Sequence, residues 1–206
     1  MCIRDSVIPS HNTLKTTTVR AVKGKPKRTT GGCNLALLVD CSSSMREHRK
    51  WVHSRDAALM LIGFARRYRY PVLLTCFSGR VRYSSGGWRT DYFRLAQEFV
   101  EAYRPYDYTN IAPALEELSR AARRDMTVYI ISDMLIQDVG EAEGQLERLS
   151  AYSPRVVLFL ISPSEEAARE VCEVVRLAGI DDVKGYWVNP LEAHRLRDYV
   201  IKEINL

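Results

Sequence analysis

From residue 33 onward, short unbroken apolar runs alternate with longer segments whose apolar residues recur every three or four positions. This alternation constrains the fold more than any other feature of the chain. Residues 35–39 and 71–77 read as strands buried on both faces, because they lack the polar–apolar alternation of a half-exposed sheet; residues 127–131 and 156–161 read as two further central strands and residues 183–188 as a last strand. Between them, residues 48–68, 90–102 and 139–149 read as helices, the last weakened by Gly140 and Gly144. Ile111, Leu115, Leu118 and Ala122 fall on one helical face. Ala167, Val171, Val174, Val175 and Ala178 form another such stripe, and Ala193, Leu196 and Val200 a third. Residues 80–83 suit a short antiparallel edge strand, ended by Ser84-Ser85-Gly86-Gly87. Strands that alternate with helices predict a doubly wound, mostly parallel sheet with helices on both faces. Ligands of such sheets bind beyond the carboxyl ends of the strands.

The charge pattern divides the chain. The net charge is +5, yet residues 1–32 carry seven basic side chains against Asp5 alone. The body from residue 33 is therefore close to neutral, which argues against a nucleic-acid-binding surface there. The leading segment, rich in Ser, Thr, Pro and Gly, reads as a basic linker or the remnant of an upstream region. Residues 33–206 read as the folded domain. No apolar run approaches the roughly 18 residues of a membrane helix, and the first twenty residues lack the apolar core of a secretory signal. The five cysteines are irregularly spaced, with no C-x-x-C pair. They predict a reduced, cytoplasmic setting, with Cys33, Cys76 and Cys172 as small buried hydrophobes.

The chemistry gathers at the predicted strand ends. The first strand runs into Asp40-Cys41-Ser42-Ser43-Ser44-Met45, and a tight loop there aims Asp40, Ser42 and Ser44 at one point. The strand over residues 127–131 is followed by Ser132-Asp133. Between these, Asp107-Tyr108-Thr109-Asn110 leads into a helix and can present the Thr109 hydroxyl to the same place. Carboxylates and hydroxyls are hard oxygen donors, better suited to Mg²⁺ or Mn²⁺ than to zinc. Each residue also has a plainer use: Asp133 as a turn residue, Ser42 or Ser44 as a helix start, Asp107 or Thr109 as an N-cap.

Taken together, Asp40-x-Ser42-x-Ser44-Met45, Thr109 and Asp133 resemble the metal-ion-dependent adhesion site of von Willebrand factor type A domains, over essentially all of residues 33–206. The resemblance implies that Asp40, Ser42, Ser44, Thr109 and Asp133 hold one Mg²⁺, with Mn²⁺ as an alternative. The serines and the threonine would bind directly, the aspartates partly through water, and a partner's Glu or Asp would complete the shell. It also implies a cytoplasmic prokaryotic interaction module, of the type that accompanies AAA+ ATPases of the MoxR or chelatase class. Three positions depart from the pattern: Ser43, Tyr108 and Met134 stand where many relatives carry glycine.

Two other readings compete. A Mg²⁺-dependent phosphoryl-transfer enzyme would place a second aspartate two residues after Asp40, where Ser42 stands. The chain also has neither a G-x-x-x-x-G-K-[ST] loop nor a G-x-S-x-G elbow. His11, His48, His53 and His194 show no pairing with a nucleophile, and His48 and His53 read as surface or packing residues of the first helix. The expectation is a protein that is not an enzyme. Nucleic-acid binding would rest on the basic leading segment and Arg66-Arg67-Tyr68-Arg69-Tyr70, which read more simply as a linker and an exposed helix end.

Overall fold

The computed structural model describes residues 33–205; the reading of residues 1–32 as a linker lies outside them. Six strands form one sheet in the order β3-β2-β1-β4-β5-β6. They are β1 (Asn34–Asp40), β2 (Val72–Phe77), β3 (Val81–Ser84), β4 (Met126–Ser132), β5 (Arg155–Ile161) and β6 (Val183–Val188). All pairings are parallel except β2–β3, which is the expected antiparallel edge. The helices are α1 (Lys50–Tyr68), α2 (Tyr92–Ala102), α3 (Ala112–Ala121), α4 (Val139–Ser150), α5 (Glu165–Leu177) and α6 (Leu196–Ile204).

The period-two geometry of a strand sorts the core into two layers. Leu35, Leu37 and Val39 of β1 face one way and pack with α1, α2 and α6 through Leu61, Ile62, Phe99, Leu196 and Val200. Ala36 and Leu38 face the other way, toward Leu115 and Leu118 of α3, Leu146 of α4 and Val175 of α5. Both faces of the central strands are thus covered. This explains why their sequences carry no polar alternation.

The expected first helix starts later than its apolar pattern suggests. Residues 43–49 form a 3₁₀ segment broken at Glu47, and His48 and Arg49 both take left-handed backbone angles, with φ of 49° and 57°. His48 therefore lies before α1 rather than on it.

The C-terminal helix is fastened by one buried acid. Glu203 accepts hydrogen bonds from Arg155 at 2.6 Å, Lys184 at 2.7 Å and the Tyr186 hydroxyl at 2.7 Å. Tyr186 in turn stacks on Phe159, which stacks on Tyr129, so the acid anchors α6 to a row of three aromatic rings across β4, β5 and β6. Arg155 and Lys184 remain partly exposed, and water compensates part of the loss of their partner. Glu203→Ala is therefore expected to destabilise the domain by about 1–3 kcal/mol in urea unfolding. A change within experimental error would show that α6 is held by its apolar face alone.

Candidate metal centre

β1 pairs with β2 on one side and β4 on the other. The chain reverses its winding direction between β1 and β4, and their carboxyl ends flank the crevice where such sheets bind ligands. Asp40 is the last residue of β1 and Asp133 directly follows β4. The two central strands therefore deliver two carboxylates to one place.

The loop after β1 is shaped by hydrogen bonds from three directions. The Cys41 amide donates to the Phe77 carbonyl at 2.7 Å, and the Tyr103 hydroxyl donates to the Asp40 carbonyl at 2.7 Å. Ser42 is extended, and its amide donates to Asp40 Oδ1 at 2.7 Å. Its hydroxyl makes no capping bond and lies 3.0 Å from that of Ser44. The plainer use of Ser42 as a helix cap is thereby set aside. Met45, fully buried, plugs the loop into the core beneath.

Thr109 is brought in by backbone pairing. The Ser43 amide donates to the Asp107 carbonyl and the Tyr106 amide to the Cys41 carbonyl, each at 2.7 Å, tying its loop to the β1 loop. The Gln137 amide donates to the Thr109 carbonyl at 3.0 Å, tying it to the β4 loop as well. Thr109 is 3% exposed between them. Neither Asp107 nor Thr109 caps α3. Instead the Asp138 carboxylate, from the β4 loop, accepts the amides of Ile111 at 3.1 Å and Ala112 at 2.7 Å. Gly79 completes the arrangement: a Cβ there would stand 2.8 Å from the Asp107 carboxylate and 2.9 Å from the Tyr108 ring. A larger residue there would have to push those two side chains aside.

On the β4 side, the Ser132 hydroxyl donates to Asp40 Oδ2 at 2.5 Å and accepts the Met134 amide at 2.9 Å. Met134 has φ of 56°. This accounts for the glycine found there in the resembling pattern, since a side chain in that region costs about 1–2 kcal/mol. Asp133 is 4% exposed. Its Oδ2 accepts a 2.6 Å hydrogen bond from Lys50 Nζ, in an ion pair whose side chains are 4% and 2% exposed. The Leu135 amide reaches its Oδ1 only at 3.4 Å.

The structure thus gathers Asp40, Ser42, Ser44, Thr109 and Asp133 on three interlocked loops, and adds Lys50, Ser132, Asp138 and Gly79. Ser132 carried a visible signal, a hydroxyl at a strand end beside an acid. Lys50 carried none, because a lysine at the head of a helix reads as a surface residue.

Among the described residues no group of three or more His, Cys, Asp or Glu side chains could hold a metal, so a cation here must draw on hydroxyls. The donor set suits a hard divalent ion. The 3.0 Å between the Ser42 and Ser44 hydroxyls matches the edge of an octahedron with bonds of 2.0–2.1 Å, about 2.9 Å. Burial, and secondarily the charge of Asp133, raise the Asp40 carboxyl to about 6 from 3.8, a cost that a bound cation would offset. Burial, with Asp40's charge added, pushes the neighbouring Cys41 thiol up to about 12, which leaves it unreactive at neutral pH.

No protein-family model and no curated protein matches the sequence. Solved structures do match the fold. The VWA domain of SpRpn10 superposes with a TM-score of 0.63 at 10% identity, over 82% of this chain and 94% of that one. Proximal thread matrix protein 1 from the mussel byssus, with a zinc-occupied MIDAS motif, gives 0.61 at 15% identity, over 82% and 47%. A D319A mutant of the PilB minor pilin from Streptococcus sanguinis gives 0.63 at 10% identity, over 87% and 62%. The chain therefore spans less than two thirds of the pilin and under half of the byssus protein. The fold is that of von Willebrand factor type A domains.

The Asp40 shift has a consequence for the metal-free domain. The unfolded chain releases this proton near 3.8 and the folded one near 6, so the folded state binds more protons between them. Stability from this group is present below about pH 4 and is lost as pH rises to about 6. Two pH units correspond to about 3 kcal/mol. Asp40→Asn, measured by urea unfolding in chelator, is expected to be more stable than the wild type at pH 7 by about 1–3 kcal/mol, with the advantage gone at pH 4. A variant that is less stable at pH 7 would contradict this account.

Proposed function

We propose that this domain is a divalent-cation-dependent protein-interaction module, in which Asp40, Ser42, Ser44, Thr109 and Asp133 hold one Mg²⁺ or Mn²⁺. The observation that carries the reading is the pair of serine hydroxyls, 3.0 Å apart, on the loop that leaves Asp40 at the sheet's switch point, beside the strand that runs into Asp133. When bound, the cation supplies a positive centre for an acidic group of a partner protein, because most of its ligands are uncharged hydroxyls. The rim favours a protein partner over a small phosphate ester. Tyr106, Tyr108 and Leu135 surround the three loops and are 57%, 49% and 59% exposed, and Arg82 lies 4.9 Å over the Tyr106 ring. An acidic side chain flanked by apolar residues suits that surface.

No catalytic role is assigned. Ser42 stands where a phosphoryl-transfer enzyme of this general type would need its second aspartate, and the adjacent Cys41 thiol is held protonated. An AAA+ ATPase of the MoxR or chelatase class is the partner class implied by the resemblance. The cytoplasm is the proposed compartment. It is supported by four free cysteines among the described residues, where no helix is long and apolar enough to cross a membrane. Residues 1–32 are assigned no nucleic-acid partner.

Calorimetry with MgCl₂ or MnCl₂ is expected to give one site per chain and a rise in thermal stability with metal concentration. Thr109→Val keeps the shape of the side chain and removes the hydroxyl. It should weaken metal-dependent association by about 1–3 kcal/mol, and chelator should do the same to the wild type. The reading fails if a folded domain binds neither ion at millimolar concentration, or if a partner is retained equally in chelator.

A further inference from the structure

The buried ion pair between Lys50 and Asp133 has no place in the adhesion-site pattern. Nothing in the local energetics of α1 calls for a lysine there. Lys50 is the first residue of the helix, where the backbone dipole disfavours a positive charge, and the first turn holds no acid to offset it. Two left-handed residues, His48 and Arg49, directly precede it, and its side chain reaches Asp133 at the end of β4. Its ammonium is buried, and Asp133 is its one hydrogen-bond acceptor among the described residues. With Asp40 and Asp133 ionised, Lys50 leaves the site with a net charge of one negative unit. A divalent cation would carry the same site to one positive charge with the lysine in place, and to neutrality with the lysine withdrawn.

We propose that Lys50 is a tethered rival of the divalent cation: its ammonium holds Asp133 in the metal-free domain, and metal binding displaces it. This rests on the metal-dependent reading above. The lysine offsets the charge of Asp133 and so relieves part of the repulsion between the two carboxylates in the absence of metal. It also sets the metal affinity low, because the cation must break a buried ion pair to enter. Metal occupancy is thereby coupled to residues 47–50, the only covalent link between the serine loop and α1, so a bound cation reorganises the start of the longest helix.

A purely structural role for Lys50, orienting Asp133 for the metal, predicts the reverse effect on affinity. The test is calorimetric titration of the full chain with MgCl₂ and MnCl₂, comparing wild type with Lys50→Met, Lys50→Gln and Lys50→Arg, each checked by circular dichroism with and without metal. Both neutral variants should bind metal about tenfold more tightly or better, with a larger metal-induced rise in melting temperature, while Lys50→Arg gains nothing. A neutral variant that is unfolded in chelator and folded in MgCl₂ also supports the proposal, since the cation then replaces the ammonium. Unchanged or weaker binding in both neutral variants overturns it while leaving the metal site intact. So do neutral variants that stay unfolded at saturating MgCl₂ beside a wild type that binds. Absence of binding in every folded form, wild type included, overturns the metal-dependent reading itself together with this one.

Discussion

Two carboxylates at the ends of neighbouring strands impose the constraint around which this molecule is organised. Asp40 and Asp133 are both nearly sealed from solvent, and buried like charges are tolerated only when something compensates them. Here compensation comes from several sources at once. Asp40 accepts a backbone amide and the Ser132 hydroxyl, while Asp133 is held by the Lys50 ammonium. The sheet tolerates this because its two apolar layers are complete without the site. The loops carry the electrostatic cost and the sheet carries the stability.

The loops meet that cost in large part by bonding to one another. The β1 loop is tied to the Thr109 loop, the Thr109 loop to the β4 loop, and the β4 loop supplies the cap of α3. Four of the seven non-glycine residues with left-handed backbone among the described residues lie in these segments: His48, Arg49, Asp107 and Met134. Such conformations persist where the surroundings over-determine them. The mutual bonding provides that over-determination, and it explains how Met134 is accommodated at a left-handed position.

Much of this architecture was legible in the sequence, for physical reasons that also mark the limits. Buried parallel strands announce themselves as unbroken apolar runs, so β1, β2, β4 and β5 were recognisable, and the acid ending the first of them marked the site. The hydroxyl spacing of Ser42 and Ser44 was readable because it depends on local spacing alone. The start of α1 was not, because the apolar pattern continues through His48 while the backbone does not; two left-handed residues leave no compositional trace when neither is glycine or asparagine. Lys50 and Asp138 were invisible for a different cause. Their roles depend on partners 83 and 26–27 residues away, and no local pattern distinguishes such a lysine or aspartate from one facing water.

The serine that ends β4 orders the direction of its hydrogen bonds. Ser132 has a single hydroxyl proton, which is committed to Asp40, so its lone pair is left to receive the Met134 amide. The amide, the hydroxyl and the carboxylate form a polarised chain with one sense. A change in charge at Asp40 alters the pull on the hydroxyl proton and is passed on to the Met134 amide. That amide is therefore a built-in spectroscopic reporter. Its proton resonance would register the electrical state of the β1 carboxylate through Ser132, without any label placed inside the site.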